Sequence, residues 1–104
     1  MIAIPSGVRV YLACGKTDMR KGFDGLSMLA QDTLKQDPFS GHLFLFRSKR
    51  GDYLKILYWD GSGLCLFAKR LERGRFVWPP IVDGALLTAV AVYFLLKSQA
   101  IREI

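Results

Sequence analysis

The sequence predicts an α+β domain in which an N-terminal strand and one amphipathic helix pack with an antiparallel four-stranded meander. The first observation is a helical period, because apolar residues recur at three- and four-residue steps between residues 23 and 34. The second is a change of period: four short runs of aromatic and aliphatic residues follow between residues 42 and 78. The third is a glycine-containing turn between each run and the next, which is typical of antiparallel neighbours.

The N-terminal strand and the helix come first along the chain. Residues 8–13, VRVYLA, mix β-branched and aromatic types between glycines and predict a strand. In the helix that follows, Thr17 or Asp18 can accept the free N–H groups of the first turn. Pro38 ends the helical segment, because the residue before a proline is displaced from the helical backbone region. The predicted apolar face comprises Phe23, Leu26, Leu29, Ala30, Thr33 and Leu34.

The meander is predicted over residues 42–46, 53–59, 64–70 and 75–78. Side chains alternate between the two faces of a strand. In the second run, Leu54, Ile56 and Tyr58 share a face that suits the helix and the core. The opposite face carries Lys55, although Leu57 lies on that side as well.

The C-terminal segment, residues 81–104, differs in character from the domain predicted over residues 1–80. Residues 84–96, GALLTAVAVYFLL, contain no charge, but the run is shorter than the roughly 20 residues of a membrane-spanning helix. We therefore expect no membrane association. The favoured interpretation is a buried helix or strand packed on the same domain. The alternative is that this apolar run forms the contact between copies in a homo-oligomer.

Positive charge is concentrated in the meander. The 104 residues carry a net charge of +6, and residues 47–78 hold eight cations and three acids, a net of +5. A basic surface beside aromatic rings favours a polyanion, and nucleic acid is the commonest one. The alternative is a solvated sheet edge, where lysine and arginine block pairing with other chains. The candidate nucleic-acid-binding residues are Arg47, Lys49, Arg50, Lys69, Arg70, Arg73 and Arg75 for phosphate, with Trp59 and Trp78 for stacking.

The residue types that catalysis needs do not converge in this sequence. His42 is the single histidine, and the two cysteines form no CxxC pair, which argues against a zinc site. Asp18, Asp52 and Asp60 are carboxylates by type, but a helix cap and turns explain them. We expect a protein that is not an enzyme and needs no cofactor. Without an uninterrupted apolar signal-peptide core, the cytoplasm is its expected location.

Long strings of residues carry a family resemblance. They are PSGVRV at 5–10, TDMRKGFDGL at 17–26, DPFSGHLF at 37–44, LKILYWDG at 54–61 and LCLFAKRLERGRFVWP at 64–79. With these strings the chain resembles the small accessory protein (TnpB, the second open reading frame) of the insertion sequence 66 family of bacterial transposable elements. The resemblance covers residues 5–79, and beyond them Leu87-Thr88 is the remaining similarity, so the C-terminal segment looks divergent.

The resemblance implies a role in DNA transposition as an accessory factor. The catalytic carboxylates of such an element belong to a separate, larger transposase. Two partners follow: the DNA at the ends of the element, and that transposase. The preferred hypothesis is DNA binding through the basic meander. The alternative is a protein–protein adaptor that docks on the transposase without gripping DNA, its aromatic residues forming the core of the interface.

Overall fold

The computed structural model describes residues 7–76 and 85–87, which form one five-stranded sheet and one helix. The strand order is β4-β3-β2-β1-β5. β1 and β2 are parallel because α1 carries the chain back between them, and every other neighbouring pair is antiparallel. The elements are β1 Val10–Lys16, α1 Phe23–Asp32, β2 Leu43–Arg47, β3 Tyr53–Trp59, β4 Leu64–Arg70 and β5 Ala85–Leu87.

The α+β class is confirmed, but the sheet is mixed and not purely antiparallel. The N-terminal strand, which the sequence did not connect to the meander, lies inside the sheet between β2 and β5. β2, β3 and β4 form the expected meander. Its fourth run contributes an isolated bridge at Arg75, and residues 77–78 lie outside the described residues. β5 comes from the C-terminal segment; the packing of the rest of that segment, and its role in a homo-oligomer, stay predictions.

Apolar side chains cover both faces of the middle strands. The helix packs on the face that carries Leu57 and Lys55, and its predicted packing on Leu54, Ile56 and Tyr58 is wrong. Alternation along β3 does not reveal the difference, because both of its faces are apolar. The helix-side core comprises Tyr11, Ala13, Leu26, Ala30, Leu34, Phe44, Phe46 and Leu57. The core of the other face comprises Val10, Leu12, Leu43, Leu45, Leu54, Ile56 and Phe76.

The ends of α1 are set by the backbone and not by the predicted signals. Gly22 precedes the first turn and supplies no side-chain cap, so neither predicted capping residue is used. The Asp18 carboxylate instead accepts the backbone N–H of Arg20 at 2.9 Å, inside the loop before the helix. At the other end Lys35 has a φ of 56°, and this left-handed conformation reverses the chain before Pro38 is reached.

Lys55 is a buried cation in the middle of the sheet. Its side chain lies on the α1 face of β3 and is 9% exposed. The ammonium group donates to the backbone carbonyls of Met19, at 2.7 Å, and Lys21, at 2.9 Å. These two bonds satisfy a charge that would otherwise be costly to bury. They also fix the β1–α1 loop against the sheet, so Lys55 serves the fold and is not a candidate for phosphate binding.

We expect Lys55→Met to destabilise the protein by about 1–3 kcal/mol, because both loop carbonyls lose their donor while the methionine keeps the apolar stem. Chemical denaturation monitored by circular dichroism measures the change. Lys49→Met, at the exposed tip of the β2–β3 hairpin, is the matched control and should shift stability by less than about 0.5 kcal/mol. Equal effects of the two substitutions would refute the structural role of the buried ammonium group.

Candidate nucleic-acid interface

The predicted cations gather at one end of the sheet, where β1, β2 and β4 finish and β3 begins. We call this the basic end. Arg47 closes β2, and Lys69 and Arg70 close β4. The tip of the β2–β3 hairpin and the segment after β4 add the remaining four, all of them exposed: Lys49, Arg50, Arg73 and Arg75. The structure thus brings together seven cations that three stretches of the sequence supply.

Strand register adds Lys16 to this surface. Lys16 lies opposite Arg47, Arg47 opposite Leu54, and Leu54 opposite Lys69. The register therefore places three cations in one row across four strands, over about 14 Å. Sequence reasoning missed Lys16 because it lies 31 positions before Arg47 and reaches it through the parallel β1–β2 pairing, after an irregularity beyond Leu12.

Two loops of the basic end are joined by backbone hydrogen bonds. The N–H of Leu71 donates to the carbonyl of Asp52 at 2.8 Å, and that of Phe76 donates to the carbonyl of Gly51 at 2.9 Å. The buried Phe76 ring anchors the second loop in the core. Between the loops is a cleft of about 180 Å³, lined by Arg50, Asp52, Gly74 and Arg75.

Tyr53 is a half-buried aromatic residue at the basic end. The Arg70 guanidinium lies 5.9 Å from the centre of its ring and the Lys55 ammonium lies 5.7 Å from it, both within the range of cation–π attraction. Arg70 and Tyr53 are cross-strand partners, so this contact follows from the β3–β4 register. The ring thereby positions the Arg70 side chain on the helix side of the sheet.

Trp59 does not join the cations in the described structure. Trp59 ends β3, six residues from Tyr53, so it lies about 20 Å away at the opposite end of the sheet. There its ring packs edge-to-face against Phe39, with the ring centres 5.4 Å apart. The structure therefore does not bring Trp59 together with the cations of the basic end, and its use in stacking stays a prediction. Trp78 lies outside the described residues.

Asp18 neutralises one further cation near the basic end. The two oxygens of its carboxylate share the Arg20 Nε–H, at 3.0 and 3.2 Å, and Oδ2 also accepts a hydrogen bond from Nη2 at 2.8 Å. These side-chain bonds, followed by the backbone N–H of the same residue, hold the pKa of Asp18 well below its usual range. The same pairing raises the pKa of Arg20. This arginine is therefore already paired with a carboxylate.

Asp60 organises the β3–β4 turn at the opposite end. Its Oδ1 accepts the backbone N–H groups of Ser62 and Gly63, each at 2.9 Å, and these bonds are the main reason that its pKa falls to about 2. Cys65 Sγ donates to Oδ2 at 3.4 Å. Burial, then this hydrogen bond, raises the pKa of the Cys65 thiol, which disfavours the reactive thiolate. The polar atoms of this turn are therefore hydrogen-bonded to one another.

The other residues that could take part in catalysis or bind a metal also have local structural roles. His42 Nδ1 accepts the backbone N–H of Arg9 at 2.9 Å, as expected of a structural histidine. Among the described residues, no three histidine, cysteine or acidic side chains come close enough together to hold a metal ion. The helix in this part of the chain is also too short to cross a membrane.

Comparison with known proteins gives one family and two close relatives. The family described as IS66 Orf2-like protein matches residues 8–104, so the C-terminal segment that looked divergent lies within the match. "Uncharacterized protein y4hO" of Sinorhizobium fredii (strain NBRC 101917 / NGR234) is 51% identical over 90 residues, or 85% of this chain and 78% of that protein. "Uncharacterized protein y4jC" of the same strain is 46% identical over 86 residues, or 83% of this chain and 74% of that protein. No solved structure matches.

The depressed pKa of Asp60 predicts a specific pH dependence. Because its pKa is lower in the folded protein, the charged carboxylate stabilises the fold fully above its ordinary pKa of 3.8, and this contribution is lost as the pH falls through about 2. We therefore expect Asp60→Ala to destabilise the protein near neutral pH, and the gap from the wild type to shrink as the pH falls from about 4 to 2.

Denaturant titrations at several pH values test this expectation, and the low pKa of Asp18 cancels because both proteins contain it. Asp60→Asn is the control, since its amide oxygen still accepts the turn N–H groups but does not titrate in this range. A stability gap between wild type and Asp60→Ala that stays constant from pH 6 to pH 2 would argue against the assigned role.

Proposed function

The chain belongs to the family of IS66 Orf2-like proteins, accessory proteins of insertion-sequence transposition, and from this premise we propose that it binds DNA phosphates through the basic end of its sheet. The observation that carries the proposal is the convergence there of seven predicted cations with Lys16. When DNA binds such a surface, the counterions condensed on the DNA are released. This release supplies affinity that does not depend on the DNA sequence.

The charge balance of the basic end supports the proposal. Apart from Asp18, which is paired with Arg20, the acids there among the described residues are Asp52 and Glu72. Asp52 accepts a hydrogen bond from the Ser48 hydroxyl at 3.1 Å. A surface with this excess of positive charge attracts a polyanion over a distance of about one Debye length, roughly 8 Å at physiological salt. In this proposal the protein acts without catalysis, and the chemistry of transposition belongs to the larger transposase.

A second candidate function is an adaptor that docks on the larger transposase. The observation that favours it is a set of exposed apolar side chains on α1 and beside Trp59. Phe39 is 51% exposed beside Trp59, and Met28 on α1 is 60% exposed. Phe23, which was predicted on the buried helix face, is 48% exposed. Aromatic and methionine side chains are enriched at protein interfaces.

For DNA binding, we expect the affinity for a duplex with the element's terminal repeats to fall linearly on a log–log plot against salt. The triple charge reversal Arg70→Glu, Arg73→Glu and Arg75→Glu should reduce the slope by about 0.9 for each phosphate that the variant no longer neutralises. Fluorescence anisotropy at several salt concentrations, with a random duplex for comparison, measures both quantities.

Arg9→Glu is the matched control, because this exposed arginine precedes β1 at the opposite end of the sheet. It should change the salt slope little. The proposal fails if the wild-type protein binds neither duplex at low salt, or if Arg9→Glu weakens binding as much as a reversal at the basic end.

For the adaptor function, we expect the protein to co-purify with the larger transposase after nuclease treatment, and Phe39→Ala to reduce the recovered complex several-fold. The physical reason is that truncating an exposed aromatic ring removes apolar contact area without disturbing the core. Gln31→Ala, at an exposed position of α1, is the control. A complex that disappears when the DNA is digested would remove the support for this function.

A further inference from the structure

We propose that the cleft between the β2–β3 loop and the segment after β4 is a seat for one phosphodiester of the DNA backbone, held jointly by Arg50 and Arg75. The inference rests on the proposed DNA binding and goes further, because it distinguishes one fixed contact from the general attraction of the basic end. The cleft has a volume of about 180 Å³, and Arg50, Asp52, Gly74 and Arg75 line it.

The walls of the cleft are fixed before any ligand arrives. Two backbone hydrogen bonds join the loops, from Leu71 to Asp52 and from Phe76 to Gly51. The Phe76 side chain, 2% exposed, ties the second loop to the core. Gly51 and Gly74 have φ values of 76° and 72°, a region that favours glycine and holds each loop in a tight reversal. Preorganised walls reduce the entropy that binding costs.

The cleft also suits the ligand in size and donors. One water needs only about 10–15 Å³ of such volume, so the cleft has room for a phosphate group and several waters. Each guanidinium offers five N–H donors in a planar fork that matches phosphate oxygens. Two arginines on opposite loops can therefore bind different oxygens of one phosphate.

The charge of the cleft matches that of one backbone phosphate. Two guanidinium groups and the Asp52 carboxylate give a local charge of +1. A phosphodiester carries a single negative charge, so its binding neutralises the cleft.

A double-mutant cycle on the full chain tests joint binding, with the affinity for a random DNA duplex as the readout. We expect Arg50→Gln and Arg75→Gln each to weaken binding about tenfold, and the double variant to be little weaker than either, because both residues hold the same phosphate. Lys49 and Arg73 lie outside the cleft and form the control pair. We expect Lys49→Gln and Arg73→Gln each to weaken binding less, and the loss in their double variant to equal the product of the two single losses. If the affinity losses of Arg50→Gln and Arg75→Gln also multiply in the double variant, the inference is overturned.

Two further variants distinguish loss of the phosphate seat from a change in net charge and from misfolding. Arg75→Lys keeps the charge but not the fork, so it should weaken binding about as much as Arg75→Gln with an unchanged denaturation midpoint. Asp52→Asn should strengthen binding several-fold more than Glu72→Gln, which neutralises an exposed acid outside the cleft. Wild-type affinity in Arg75→Lys, or equal gains from the two neutralised acids, would refute the seat.

The outcomes also distinguish this inference from the proposed function. A wild-type protein that binds no duplex at low salt contradicts DNA binding itself. A wild-type protein that binds, with losses at Arg50 and Arg75 that multiply like those of the control pair, leaves the proposed function standing and removes only the seat.

Discussion

The buried ammonium group of Lys55 is the interaction on which the arrangement of this fold depends. Its two hydrogen bonds to the carbonyls of Met19 and Lys21 hold the β1–α1 loop on the sheet. Because α1 starts directly after this loop, the same contact determines which face of the sheet the helix covers. An unpaired ammonium group inside a protein is costly, so alternative packings that leave Lys55 without acceptors are disfavoured.

The same arrangement separates two kinds of positive charge. Lys55 is enclosed and serves the fold, whereas the seven predicted cations and Lys16 lie on strand ends and loops at the basic end. Tyr53 contacts one cation of each kind, because its ring centre lies 5.7 Å from the Lys55 ammonium group and 5.9 Å from the Arg70 guanidinium. Strand register and two loops whose backbones are bonded together thus gather these eight cations at one end of the sheet.

Sequence reasoning succeeded where the signal is local. The bounds of β3 and β4 and the position of α1 follow from period, residue type and turn glycines, which act over a few neighbouring residues. It failed for the face that the helix covers, because β3 is apolar on both sides. It also failed for the start of α1, where Gly22 provides no side-chain signal.

The sequence by itself determined the α+β class, the surplus of positive charge in residues 47–78, and the family to which the chain belongs. Only the tertiary structure decided which of those residues meet. It brought Lys16 into a row with Arg47 and Lys69, joined Arg50 and Arg75 across one cleft, and placed Trp59 at the far end. The reason is that a composition specifies how much charge a segment carries, whereas strand pairing between distant segments specifies where in space that charge lies.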